Sequence, residues 1–239
     1  MNKKIKSWQS PSTGKKMQLM VVGDEGTPVI IFPSAHGTFD EWDEKGVFED
    51  VLKYQVERGF NQFFCVESFS EDIFMNDFID PISKMVRFNR YQEYLVDELL
   101  PYISELNPNP YIINAGVGIG AYSSLLMALK HPSLFNKVIG LSGYYDIRVH
   151  LEDEFVDDTV YFNNPVEFIP NLNDQKILKL ISDLDIRFLN FKNDPTLNDT
   201  RRMSDSLWLK FIEHEHYVWD VETDDLWTIV PQMLKDNLF

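Results

Sequence analysis

The segment Asn114-Ala115-Gly116-Val117-Gly118-Ile119-Gly120-Ala121 places a glycine at every second position in the middle of the chain. Before it, Pro110-Tyr111-Ile112-Ile113 is short, apolar and β-branched, the pattern of a buried strand. After it, Ala121 to His131 carries apolar residues at helical spacing and is closed by Pro132. Two chemistries use a strand, a sharp glycine turn and a helix in this order. One is the nucleophile elbow, G-x-S-x-G, with a serine on the turn. The other is the dinucleotide-binding turn G-x-G-x-x-G/A, which Gly116, Gly118 and Ala121 also satisfy. In the first reading Gly118 stands where the serine belongs.

The rest of the chain sets the context. Its 239 residues, 44% hydrophobic and 14% aromatic, suffice for one packed core, and no stretch has linker composition. A single domain over 1–239 is expected. A net charge of -16 disfavours nucleic acid, which needs a basic surface, and disfavours anionic membranes. The basic cluster Lys3, Lys4, Lys6, Lys15 and Lys16 is not followed by a signal-length apolar run, and no stretch approaches the roughly 20 apolar residues of a membrane span. With Cys65 alone, no intramolecular disulfide can form. These features fit a cytoplasmic protein. No cofactor or metal is expected, and a homo-oligomer is left open.

Strand and helix signals alternate. Met17 to Val22 reads as a hairpin arm, and Val29 to Phe32, Asn61 to Val66, Lys137 to Ser142, Ile186 to Phe191 and His214 to Trp219 read as strands. Helices are expected over Phe48–Glu57, Arg90–Ile103, Ala121–His131, Asp174–Leu180, Thr200–Ile212 and Asp224–Leu238. Glu67 to Phe88 is expected to be irregular, and 147–173 a lid-like insertion. This alternation implies an α/β fold, a mostly parallel sheet with helices on both faces. Ligands gather at the carboxyl edge of such sheets, where Pro33 to Thr38, the glycine turn, Asp146 and Asp194 should meet.

The dinucleotide reading is weak, because its turn belongs on the first strand with an acid about 20 residues on. Here three strands come first, and the next strand ends in Leu141-Ser142-Gly143. The elbow reading accounts for more: an oxyanion loop after an early strand, and an acid, Asp194, after a later one.

Several blocks then carry a resemblance. They are Phe63-Phe64-Cys65-Val66-Glu67-Ser68, Phe88-Asn89-Arg90-Tyr91-Gln92-Glu93-Tyr94-Leu95 through Leu100-Pro101, and Ala128 to Phe135. Gly140-Leu141-Ser142-Gly143-Tyr144-Tyr145-Asp146, Asp194-Pro195, Arg202-Met203-Ser204-Asp205 and Val218-Trp219-Asp220 continue it. Over nearly its whole length the chain resembles the Putative esterase family of the α/β-hydrolases, the group of esterase D and of feruloyl and acetyl esterases. The resemblance implies an α/β-hydrolase fold, a nucleophilic serine at position 118, the triad acid at Asp194 and a histidine at Thr223 or Asp224. It also implies ligand contacts from Ser34, Ala35, His36, Gly37, Val117 and Ile119.

The departures are specific. Position 118 is glycine, the closing block reads Thr223-Asp224-Asp225-Leu226-Trp227, and no histidine follows His216. Serine attack needs a hydroxyl and a positioned imidazole. The expectation is therefore a pseudo-esterase with a degenerate triad, binding a small ester, acyl or carbohydrate-like ligand or scaffolding a partner. The alternative is an active hydrolase in which His36 and Asp194 act on water. Ser123 and Ser124 are expected on the helix surface, Cys65 in the core, and His214 and His216 on one exposed strand face.

Overall fold

The computed structural model describes residues 1–151 and 157–239, so residues 152–156 of the expected insertion lie outside it. Eight strands form one sheet: β1 (Lys3–Gln9), β2 (Lys16–Val22), β3 (Thr27–Phe32), β4 (Asn61–Val66), β5 (Ile113–Val117), β6 (Lys137–Leu141), β7 (Asp185–Phe191) and β8 (Glu215–Trp219). Their spatial order is β1-β2-β4-β3-β5-β6-β7-β8. β2 runs antiparallel to both neighbours, and every pairing from β4 to β8 is parallel. This is the expected α/β architecture.

Apolar strands sort their side chains by the two-residue period of the pleat. Ile30, Phe32, Phe64 and Val66 face one core cluster, and Val29, Ile31, Phe63 and Cys65 face the other. The first cluster is closed by the helices Pro81–Tyr94, Leu100–Leu106, Ile119–Lys130 and Leu197–Trp208. The second is closed by short helices between Glu41 and Glu57 and by Val230–Asn237. With both faces covered, the central strands are apolar throughout rather than alternating.

Several expectations change. β1 is an additional strand. Its Lys-rich sequence carries no apolar pattern because it is an exposed edge strand paired to β2 alone. The expected helix at Phe48–Glu57 is two short turns, Val47–Asp50 and Lys53–Glu57, interrupted at Val51 and Leu52. The segment expected to be irregular contains the turn Ser70–Ile73, and the next helix begins at Pro81. Asp80 caps it by accepting from the Ser83 N–H, with Pro81 at the first helical position. Its continuation widens to π geometry over Leu95–Leu99, shortly before Pro101, which has no N–H for the α ladder. The closing helix is shorter than expected, a single 3₁₀ turn at Leu226–Thr228 and then Val230–Asn237.

Around the undescribed residues, the segment expected to be a lid-like insertion packs into the core. Ile147, Val160 and Ile169, from the 3₁₀ turn Ile147–His150 and the helices Asp158–Tyr161 and Pro165–Asn171, are all buried in the first cluster. Tyr122 Oη donates to the Asn163 carbonyl at 2.6 Å, tying this segment to the helix behind the glycine turn. Among the described residues, no helix is long and apolar enough to cross a membrane.

Candidate functional site at the glycine elbow

β5 ends at Val117, and Gly118 turns the chain with φ 60° and ψ -117° before the helix starts at Ile119. That backbone region is strained for any residue with a side chain and open to glycine. Gly118 donates its N–H to the Leu141 carbonyl at 3.0 Å, which fixes the turn against the end of β6.

The three glycines differ in why they are there. A Cβ on Gly116 would lie 2.3 Å from the backbone of Gly120, and one on Gly120 would lie 2.3 Å from the Pro33 carbonyl oxygen. Both therefore permit the helix to press onto β5 and the loop after β3. A Cβ on Gly118 would meet nothing within 4 Å. The space a side chain would fill at position 118 is open.

That space belongs to a cavity of about 320 Å³ lined by Ser34, Ala35, Val117, Gly118, Ile119 and Ser142, with Met75, Tyr144, His150, Pro195, Thr196 and Leu226. The register brings these together. Phe32 pairs with Gly116, Val117 with Leu141, and Leu141 with Leu189, so the loops after β3, β5, β6 and β7 open on one edge.

In the loop after β3, Ser34 is not a free donor. Its N–H donates to Glu41 Oε2 at 2.8 Å and its hydroxyl donates to Glu41 Oε1. Gly37 also abuts the Glu41 carboxylate, which a Cβ there would meet at 2.3 Å. The amides of Ala35 and Ile119 have no acceptor among the described residues. Both residues line the cavity, and the second amide opens a helix, where a partial positive charge favours an oxyanion.

Asp194, beyond β7, is buried and fully engaged. It accepts from Ser142 Oγ at 2.8 Å, Asn190 Nδ2 at 2.8 Å, Thr196 N at 2.9 Å and Thr196 Oγ1 at 2.8 Å. No histidine donates to it among the described residues. The nearest link is indirect: His216 Nε2 meets Asn190 Oδ1 at 2.9 Å, and the Asn190 amide donates onward to Asp194. Ser142 holds this position with φ 48°, unusual for a residue with a side chain.

The expected pairing of His36 with Asp194 does not form. His36 is exposed, faces Glu71 at 3.0 Å, and lines a neighbouring groove instead of the elbow cavity. The stretch expected to hold the histidine lies beside the loop after β7. Thr223 accepts through its carbonyl from Asn193 Nδ2 at 3.1 Å and donates its N–H to Asn193 Oδ1 at 3.0 Å, while Asp224 is exposed. Two further expectations are corrected. Ser123 and Ser124 are buried, because the helix Ile119–Lys130 is enclosed on all sides. His214 and His216 are half-buried, each packing its ring against Phe188, with His214 bonded to Ser204 Oγ at 2.6 Å. Cys65 is buried as expected, and that burial pushes its thiol far above the usual range.

His150 was not singled out by the sequence, since it lies in the aperiodic stretch after β6. It lines both the elbow cavity and the neighbouring groove, between Phe74 at 5.9 Å and Tyr144 at 6.2 Å. Its Nε2 is buried without a partner among the described residues. Burial, with a smaller effect from Lys84, holds its pKa below the ordinary value, so the ring is neutral at neutral pH. The one clue in the sequence was its place four residues beyond Asp146, near the carboxyl edge of the sheet.

The family described as Putative esterase matches residues 10–230. No curated protein matches the chain with significance. Among solved structures, a ferulic acid esterase superposes with a TM-score of 0.78 at 16% identity, covering 99% of this chain and 96% of that one. An S-formylglutathione hydrolase from Agrobacterium tumefaciens gives 0.73 at 14%, covering 99% and 94%. A substrate-bound fluorophosphonate-binding serine hydrolase from Staphylococcus aureus gives 0.71 at 14%, covering 99% and 96%. At these identities the likeness is one of fold.

Proposed function

This chain belongs to the Putative esterase family, and on that premise we propose that it is a ligand-binding member without serine-esterase turnover. The observation that carries the reading is the pair formed by Gly118 and Asp194. Position 118 has the elbow backbone and an open side-chain space but no nucleophile, and Asp194 is saturated by Ser142, Asn190 and Thr196 with no imidazole on it among the described residues. Loss of the nucleophile or its base costs a triad enzyme on the order of a million-fold in turnover.

Binding has more support. The cavity keeps two amides, from Ala35 and Ile119, with no acceptor among the described residues, and apolar walls from Met75, Val117 and Leu226. A small ester or acyl group fits that description, with its carbonyl oxygen at the amides and its body on the apolar side. The neutral His150 ring forms a further part of the wall. A carbohydrate-like ligand fits less well, because few free hydroxyl or amide side chains line the cavity. A scaffolding role is compatible with the same fold but leaves the open cavity unexplained.

The test combines turnover with binding. The purified protein should release no nitrophenol from p-nitrophenyl acetate above the buffer rate and should not be labelled by a fluorophosphonate. Methyl ferulate should bind measurably by titration calorimetry without being cleaved, and Gly118→Trp, which fills the open space, should abolish that binding. Turnover that is lost in His150→Ala or Asp194→Asn would overturn the reading in favour of a hydrolase using non-standard groups. Absence of binding to ester, acyl and sugar probes alike would favour the scaffold.

A further inference from the structure

We propose that a second cleft, between the β1–β2 turn and the helix Pro81–Tyr94, binds a small oxyanion, carboxylate or phosphate, carried on a flat apolar body. The cleft encloses about 270 Å³ and is lined by Thr13, Lys15, Phe69, Asp72, Ile73, Arg87 and Arg90. It shares no lining residue with the elbow cavity. Its size lies just below that of drug-sized ligand pockets, which run about 300–1,000 Å³, and suits a small ligand.

Charge is the first argument. The chain carries 38 Asp and Glu against 22 Lys and Arg, so carboxylates are plentiful. Arg148, Arg187 and Arg202 each hold at least one. Arg87 and Arg90 hold none among the described residues, although they stand three apart on one helix, where their side chains share a face. Within the cleft Lys15 is ion-paired with Asp72, which leaves the two guanidinium groups as uncompensated charge. Two planar forks facing one small space suit bidentate recognition of carboxylate or phosphate.

The walls are the second argument. Phe69 presents a ring over which Lys15 Nζ lies at 5.0 Å, so one side of the cleft is aromatic. The β1–β2 turn opposite is held rigidly. Glu98 accepts from Trp8 Nε1 at 2.8 Å, Ser10 Oγ at 2.7 Å and the Ser12 N–H at 3.1 Å. The turn is closed by Ser10 N–H to the Lys15 carbonyl at 2.8 Å, with Gly14 at φ 67°. The geometry is preorganised, which lowers the ordering cost of binding. A cleft of this size excludes a macromolecular strand, and the overall negative charge disfavours nucleic acid.

The experiment is calorimetric titration of the full chain, in low-salt buffer, with phenyl phosphate, benzoate and inorganic phosphate. Phenyl phosphate or benzoate should bind, inorganic phosphate should bind more weakly for want of the apolar body, and added salt should weaken all three. Whichever of the first two is tighter identifies a phosphate ester or a carboxylate as the natural group. Because Arg87 and Arg90 are exposed, the double variant Arg87→Ala/Arg90→Ala should keep the wild-type melting temperature and lose about tenfold or more in affinity. Gly118→Trp should leave the affinity unchanged. The proposal is overturned if no probe binds at millimolar concentration, if the double variant binds like wild type, or if Gly118→Trp removes the binding.

Discussion

Ser142 donates its hydroxyl to Asp194 Oδ1 over 2.8 Å while its own backbone stands at φ 48°. The carboxylate that a triad would use to orient an imidazole is thus occupied by a hydroxyl held in a strained conformation. The bond is charge-assisted and buried, so removing the hydroxyl should cost about 1.5–3 kcal/mol. Ser142→Ala loses the bond and keeps the strain. Ser142→Gly loses the same bond but relieves about 1–2 kcal/mol of backbone strain. Urea denaturation should rank the stabilities wild type, then Ser142→Gly, then Ser142→Ala. Equal stability of the two variants would show that the positive φ carries no cost here.

The elbow glycines make a second, sharper contrast. Gly116→Ala and Gly120→Ala each drive a Cβ to 2.3 Å from backbone atoms that cannot swing aside. Each should cost about 3 kcal/mol or more, at the upper end of overpacking penalties. The Cβ of Gly118→Ser meets no atom within 4 Å, and the variant should cost chiefly the strain of its φ 60°, about 1–3 kcal/mol. Melting temperatures should therefore fall least for Gly118→Ser. The same variant should remain inactive on p-nitrophenyl acetate, since no histidine reaches Asp194 among the described residues.

These glycines also show what could be read from the chain beforehand. The order strand, turn, helix was legible over 110–131, but the strand runs Ile113–Val117 rather than Pro110–Ile113, so its end lies within the glycine-rich segment and the turn narrows to Gly118. The α/β class followed from the same local signals repeated along the chain. What was not legible depended on tertiary partners. β1 is a polar edge strand whose only reason to be extended is its pairing with β2. Glu41 capturing Ser34, and Glu71 capturing His36, are contacts between separate segments that no spacing rule encodes. His150 was visible only as one histidine in an aperiodic stretch, because its role is set by Phe74 and Tyr144 packing around it.

Four histidines give the fold a pH dependence of predictable sign. His131, His150, His214 and His216 all have pKa values below the ordinary 6.5, with burial the largest cause for each. Below that value the unfolded chain takes up protons that the folded chain resists. Their stability contribution is present above about pH 6.5 and is lost as pH falls. Glu67 and Asp199, raised chiefly by burial, act in the opposite sense at lower pH, so variants are needed to isolate the histidines. The urea midpoint of wild type should drop between about pH 7 and about pH 5, and His214→Gln should drop less steeply. An identical slope in the variant would remove His214 from the account.

Gly140 and Gly143 flank a buried ring with an idle polar atom. A Cβ on either would lie within 2.4 Å of Tyr145 Oη, so both positions make room for that side chain. The ring packs edge-on against Phe188 at 5.1 Å, and its hydroxyl has no partner among the described residues. An unsatisfied buried hydroxyl costs about 1–3 kcal/mol. Tyr145→Phe keeps the ring contact and removes that cost, so it should be as stable as wild type or more stable by about 1 kcal/mol. Tyr122→Phe is the matched opposite. It deletes a hydroxyl that donates to the Asn163 carbonyl at 2.6 Å, leaves a buried acceptor unpaired, and should be less stable by about 1–3 kcal/mol. The melting temperature of Tyr122→Phe should fall while that of Tyr145→Phe holds or rises, and a loss of stability in Tyr145→Phe would mean that its hydroxyl is satisfied in solution, by water.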